Sequence, residues 1–129
     1  MSQLQDMFED AVIGVYQQGH ASVSSDGCCR YRTESGDKCA VGMLISDDAY
    51  ETRFEGIWVG DIAIMEALEK SGYELGEKSL SVLECLQHAH DEWKESCTPT
   101  EEFGGDFRRY WKSTCEDIAE QHKLEMPEL

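Results

Sequence analysis

Three stretches of this chain repeat apolar residues at three- and four-residue spacing, and such a pattern demands helices that bury one face. The first holds Leu4, Met7, Phe8, Ala11, Val12, Val15 and Tyr16. It predicts a helix from about Ser2 to Gln18, with Ser2 as its cap and Gly19 at its C-terminal end. The second runs from about Leu80 to Glu95 behind Ser79, with Leu80, Leu83, Leu86, His90 and Trp93 on its inner face. The third starts near Asp106, after Gly104-Gly105, and carries Phe107, Tyr110, Trp111, Thr114 and Ile118. A chain of 129 residues supports one core of this kind. No repeat, low-complexity tract or linker divides it, so residues 1–129 are read as a single domain.

The connecting segments are less regular. Cys28 to Thr33, the turn Glu34-Ser35-Gly36-Asp37, and Lys38 to Gly42 read as a short β-hairpin. The alternative is that Cys39 to Ile45 is already helical. Ser46-Asp47-Asp48 reads as the start of a short helix reaching Arg53. A further helix is expected from about Gly60 to Ser71, with Ile62, Met65 and Leu68 facing inward and Gly72 as its stop. The expected fold is therefore mostly α: a single small domain of four or five helices with one short β-hairpin.

Charge decides which partners fit. The chain has 27 acids against 11 bases, a formal net charge of −16. Direct nucleic-acid binding needs a basic footprint, which this balance excludes. Anionic membranes are disfavoured for the same reason, and no apolar run reaches the length of a membrane helix. The first residues resemble no export signal, so a cytoplasmic protein with reduced thiols is expected. The charge is uneven. Nine acids and two bases between Asp47 and Glu77 leave −7 over 31 residues, against −3 before and −6 after.

The stretch Cys29-Arg30-Tyr31-Arg32, a Gly-containing turn, then Lys38-Cys39-Ala40-Val41-Gly42-Met43-Leu44-Ile45-Ser46-Asp47 resembles a family of small uncharacterised tailed-bacteriophage proteins. Leu83-Glu84-Cys85-Leu86-Gln87 with His90-Asp91 is similar to a second element of that pattern. The resemblance implies a phage origin and a small α-rich fold. It carries no catalytic residues to transfer. Small, strongly acidic phage proteins often occupy nucleic-acid-binding surfaces of host enzymes, so it further implies an accessory protein acting in the host cytoplasm.

On a helix, acids three or four residues apart lie about 5–6 Å from one another, comparable with the run of phosphates on a nucleic-acid strand. Asp47, Asp48, Glu51, Glu55, Asp61, Glu66, Glu69, Glu74 and Glu77 are therefore read as a DNA-mimicking face. Its partner would be a host protein with a basic surface, such as a defence nuclease of CRISPR or restriction type. Tyr50, Phe54, Trp58 and Tyr73 would supply apolar anchors where exposed. The plainer reading is that these acids only keep the surface solvated.

Other chemistries are weaker. Cys28, Cys29 and Cys39 with His88 or His90 could hold zinc only by converging, and no C-x-x-C is present. His90 sits on the apolar stripe and reads better as a buried, hydrogen-bonded imidazole. It and Asp91 are helix neighbours, expected not to face one another. A Cys-dependent activity needs a low-pKa thiol, which a strongly negative chain opposes; an enzyme is not expected, nor a cofactor. Arg30, Arg32 and Lys38, or Arg108, Arg109 and Lys112, could instead take a small anionic signalling ligand.

Overall fold

The structure is a computed structural model and describes residues 3–22, 30–76, 78–95 and 106–129. Helix α1 spans Gln3–Gln18 and buries Met7, Phe8, Ala11, Val12 and Val15, as its stripe predicts. Helix α4 spans Ser79–Glu95 and buries Val82, Leu83, Leu86 and His90. Helix α5 spans Phe107–His122 and buries Phe107, Tyr110, Trp111, Cys115 and Ile118. These three pack on one another. Polar groups in the seams find partners: Trp111 Nε1 donates to the Val12 carbonyl at 3.0 Å, and Tyr110 Oη to that of Ala89 at 2.6 Å.

Helix ends show how local chemistry sets the boundaries. Asp106 accepts from the Arg109 N–H at 3.2 Å and starts α5. Gly19, at φ 83, turns the chain out of α1. The last carbonyls of a helix lack partners within it and form its negative end. Arg108 of α5 supplies them here: Nε donates to Tyr16 O at 2.8 Å and Nη2 to Gln17 O at 3.1 Å. Ser79, expected to cap α4, instead accepts from the Gly76 N–H at 2.8 Å and fixes the turn that enters the helix.

Among the described residues the expected hairpin is reduced to a single bridge. Arg32 and Lys38 make an isolated antiparallel bridge, and Thr33 N–H donates to Asp37 O at 2.9 Å across the turn. Cys28 and Cys29, which the first strand was to include, lie outside the described residues. After Cys39 the chain enters helix α2, Ala40–Leu44, with the Cys39 Sγ accepting from Gly42 N–H at 3.3 Å. The helical alternative thus describes this stretch. The reason is burial: Ala40, Val41, Gly42 and Leu44 are all buried between α1 and α4, whereas a half-solvated strand would expose every second residue.

Two further expectations are corrected. Asp47 to Arg53 is not a helix: Ser46 closes a single turn on Ala49 and Tyr50, Glu51 is extended, and Thr52–Phe54 makes one 3-10 turn. This irregular path brings Glu55 to the backbone of Tyr31 and Arg32. Helix α3 spans Ile62–Lys70, capped by Asp61, and buries Ile64, Ala67 and Leu68. Ile62 does not face inward; it is 74% exposed. Residues two apart on a helix point about 200° from one another, so the face that buries Ile64 expels Ile62.

Candidate partner-binding surface

Of the nine acids between Asp47 and Glu77, Glu77 lies outside the described residues. Asp47, Asp48, Glu51, Asp61, Glu66, Glu69 and Glu74 are exposed, and Glu55 is half-buried. They are not equivalent. Asp47 pairs with Arg32 Nη1 at 2.8 Å, and Lys38 Nζ lies 3.9 Å away. Glu51 pairs with Arg53 Nε at 3.0 Å, and that hydrogen bond holds its carboxyl below the usual range. Asp61 caps α3 by accepting from the Ala63 N–H at 2.9 Å. Asp48, Glu66, Glu69 and Glu74 have no ion pair among the described residues, so their field is the least compensated.

Glu55 has a structural task. Its Oε1 accepts from Tyr31 N–H at 2.9 Å, and its Oε2 from Arg32 N–H at 3.1 Å and Tyr50 Oη at 2.6 Å. It ties the turn after Phe54 to the segment before α2. Of the expected anchors, Phe54 is corrected: at 2% exposure it is core, and no partner can reach it. Tyr50 and Tyr73 are half-buried, with Tyr73 Oη donating to Asp10 at 2.8 Å. Trp58 is 48% exposed, and its indole N–H donates to Glu84 Oε2 at 3.0 Å.

The structure adds residues to this surface. Ile62, Glu66 and Glu69 follow one another at four- and three-residue spacing along the solvent face of α3. Asp61 N–H donates to Trp58 O at 3.0 Å, so the turn carrying the indole leads directly into that helix. Trp58 and Ile62 are the two most exposed large apolar residues among those described, and both lie within the acidic segment. Glu84, Gln87 and Asp91 form a stripe on α4 that faces the 55–58 turn. The spacing of three and four was visible in sequence, but not which turn it would meet.

Two clefts flank Glu55. One, about 430 Å³, is lined by Arg30, Arg32, Thr33, Tyr50 and Thr52 with Glu34 and Glu55. The Arg32 guanidinium is committed at both terminal nitrogens, with Nη2 donating to Ile45 O at 2.6 Å and Nη1 meeting Asp47, and it stacks 4.6 Å from the Tyr50 ring centre; its buried Nε has no hydrogen-bond partner among the described residues. The other, about 220 Å³, lies between the 55–58 turn and α4, with Tyr31, Trp58, Gln87 and Asp91 in its walls. Arg108, from the second basic cluster, is spent on α1.

His90 is buried and hydrogen-bonded, as its place on the stripe implies. Ser22 N–H donates to its Nε2 at 2.8 Å, so the ring proton sits on Nδ1 and donates to Asp91 Oδ1 at 2.9 Å. Adjacent residues on a helix thus do meet here. With both nitrogens engaged, His90 has no lone pair for a metal. Among the described residues no group of three or more His, Cys, Asp or Glu is placed to hold a metal ion. Cys28 and Cys29 lie outside them. Cys85 Sγ approaches His122 Nε2 at 3.6 Å, but burial, then Glu84, pushes that thiol above its ordinary value. Thiolate chemistry is opposed there.

Buried acids of the weakest kind give a clear pH dependence. Burial pushes Cys39 from its ordinary value of 9 up to about 12, and Tyr110 from 10 up to about 12. Tyr50 also rises to about 12, through burial and then its bond to Glu55. Cys115, Tyr31 and Tyr73 are raised further by burial. The unfolded chain releases these protons from about pH 9 upward, while the native state keeps them. Their contribution is complete below pH 9 and declines as pH rises toward 12. Thermal melts are expected to hold a constant Tm from about pH 7 to 8.5 and a falling one above 9. A Tm that rose above pH 9 would contradict these buried, protonated groups.

No helix among the described residues is long and apolar enough to cross a membrane. No protein-family model, curated protein or solved structure matches this chain.

Proposed function

We propose that this is a binding protein rather than an enzyme, one that docks its acidic face on a basic, nucleic-acid-binding surface of a partner protein and blocks it. The resemblance to small tailed-phage proteins gives the partner its class: a host enzyme that handles nucleic acid, such as a defence nuclease. The observation that carries the proposal is the exposure of Trp58 and Ile62 inside the most acidic segment. A merely solvating surface has no use for a half-exposed indole and an isoleucine among acids. A docking surface does, because anchors of this kind supply slow dissociation while charge supplies fast association.

The test replaces acids that hold nothing else in place. A triple variant, Asp48→Lys, Glu66→Lys and Glu69→Lys, is expected to fold normally and to lose association rate by at least about tenfold at low salt. Trp58→Ala is expected to raise the dissociation rate and cost roughly 2 kcal/mol of binding. Both are read by surface-binding kinetics against the protein captured from host lysate. Duplex DNA must release that protein. A triple variant that binds with unchanged affinity and salt dependence would refute the mimic.

A second reading has one observation behind it. The cleft lined by Arg30 and Arg32 suits a small anionic ligand, although Arg32 is largely satisfied internally. A thermal-shift screen with nucleotides separates the two: stabilisation favours the ligand, and none favours docking.

A further inference from the structure

We propose that the cleft between the 55–58 turn and α4 is a receptor for a guanidinium group. Its chemistry is that of a cation site. Two carboxylates, Glu55 and Asp91, and two aromatic side chains, Tyr31 and Trp58, share its walls with the Gln87 amide. No basic residue is among its described lining. At about 220 Å³ it is smaller than the roughly 300 Å³ at which ordinary small-molecule pockets begin, so it takes a head group rather than a whole nucleotide or cofactor.

The walls are held in place before any ligand arrives. Asp91 Oδ1 accepts from Gln87 Nε2 at 3.1 Å and from His90 Nδ1 at 2.9 Å. Its second oxygen has no hydrogen bond among the described residues. Gln87 is itself fixed, because its Oε1 accepts from the Val41 N–H at 3.4 Å. The Trp58 indole is pinned at its rim end by Glu84. Tyr31 donates to Ile57 O, so the phenol oxygen is committed and its ring acts as wall. Burial first, then Cys39, Glu55 and Asp91, push its phenol above the usual range. A planar cation with several N–H donors meets all of this at once. It bonds to a fixed carboxylate oxygen, and its face lies against an indole. A compact ammonium offers no flat face, so guanidinium is the preferred ion.

One source of that group is a free small molecule; the other is an arginine side chain of a protein. The second source rests on the docking function proposed above, since a nucleic-acid-binding surface is rich in arginine. The chemistry of the cleft does not rest on it.

The experiment titrates the full chain, labelled with nitrogen-15, with agmatine, with n-butylamine, and with a neutral peptide holding a single arginine. The Trp58 indole N–H and the Gln87 amide are followed by NMR. Agmatine is expected to shift both saturably, and n-butylamine at least about tenfold more weakly. Asp91→Asn keeps an acceptor for His90 Nδ1–H and is expected to weaken agmatine binding about tenfold. Trp58→Ala, at an exposed position, is expected to weaken it several-fold, so the test survives if one variant fails to fold. Peptide binding tighter than agmatine identifies the protein side chain as the source; equal or weaker binding identifies the small molecule. No saturable shift, equal shifts by n-butylamine, or unchanged affinity in both variants overturns the guanidinium site. Trp58 serves both proposals, but Asp48, Glu66 and Glu69 are not in the cleft's lining, so the triple charge reversal tests docking separately from the guanidinium site.

Discussion

Gly42→Ala is expected to cost about 3 kcal/mol or more and to lower Tm by roughly ten degrees, read by circular dichroism melts. The usual sign is the opposite, because alanine in a helix is favoured over glycine by about 0.5–1 kcal/mol. Here a Cβ would stand 2.1 Å from the Tyr31 carbonyl oxygen and 3.0 Å from its carbon. Both are backbone atoms and cannot swing aside as a side chain does. That same carbonyl accepts the Cys39 N–H at 3.3 Å at the mouth of α2. Relief would require α2 to slide from the 30–32 segment and break this bond. Gly76→Ala serves as control, since a Cβ there meets nothing within 4 Å; its Tm is expected to stay within about two degrees of the parent. A Gly42→Ala variant as stable as the parent would contradict the close approach.

The second large effect is at Glu55. Glu55→Gln is expected to lose about 2–4 kcal/mol, and Glu55→Lys more, seen in urea melts as a lower midpoint with unchanged slope. Both carboxylate oxygens accept hydrogen bonds, from two backbone N–H groups and one phenol. An amide turned either way points its NH₂ at a donor. Charge reversal across the acidic segment must therefore leave Glu55 alone. A variant that included it would lose binding by losing its fold, and would say nothing of the surface. An unchanged urea midpoint in Glu55→Gln would show that the turn does not need this carboxylate. Tyr50 offers a second readout: without the Glu55 bond its phenol is expected to titrate closer to its ordinary value of 10.

The long helices are legible in the sequence because their stripes repeat over four turns, long enough for periodicity to outweigh any local irregularity. Residues 40–44 and 46–58 are not. Five consecutive residues of mixed size, Ala40 to Leu44, fit a buried strand or a buried helix equally, and only contact with α1 and α4 decides between them. Ser46-Asp47-Asp48 carries every local mark of a helix start, but the chain makes only one turn there, extends at Glu51 and turns again at Thr52–Phe54, a path that delivers Glu55 to the N–H groups of Tyr31 and Arg32. Phe54 reads as an anchor from its neighbours and as core from its contacts. For the surface, the acids are visible by composition, yet which of them are paired depends on Arg32, which sits 15 residues before Asp47. Ile62 faces solvent because Asp61 caps the helix just before it and Ile64, two residues on, takes the inner face.

Contacts between the first and last helices also shape how the chain reaches its fold. Arg108 holds the carbonyls of Tyr16 and Gln17, Trp111 holds Val12, and Gln5 makes paired hydrogen bonds with the Glu125 backbone at 2.7 and 2.9 Å. Each spans about 90 residues or more of chain. Closing loops of that length is slow compared with winding a helix. Helix α2, nearer in sequence, packs on the α1 stripe, while the part that meets α5 stays bare until this long closure is made. The net charge of −16 opposes association of partly folded chains by like-charge repulsion while that part of the stripe is bare.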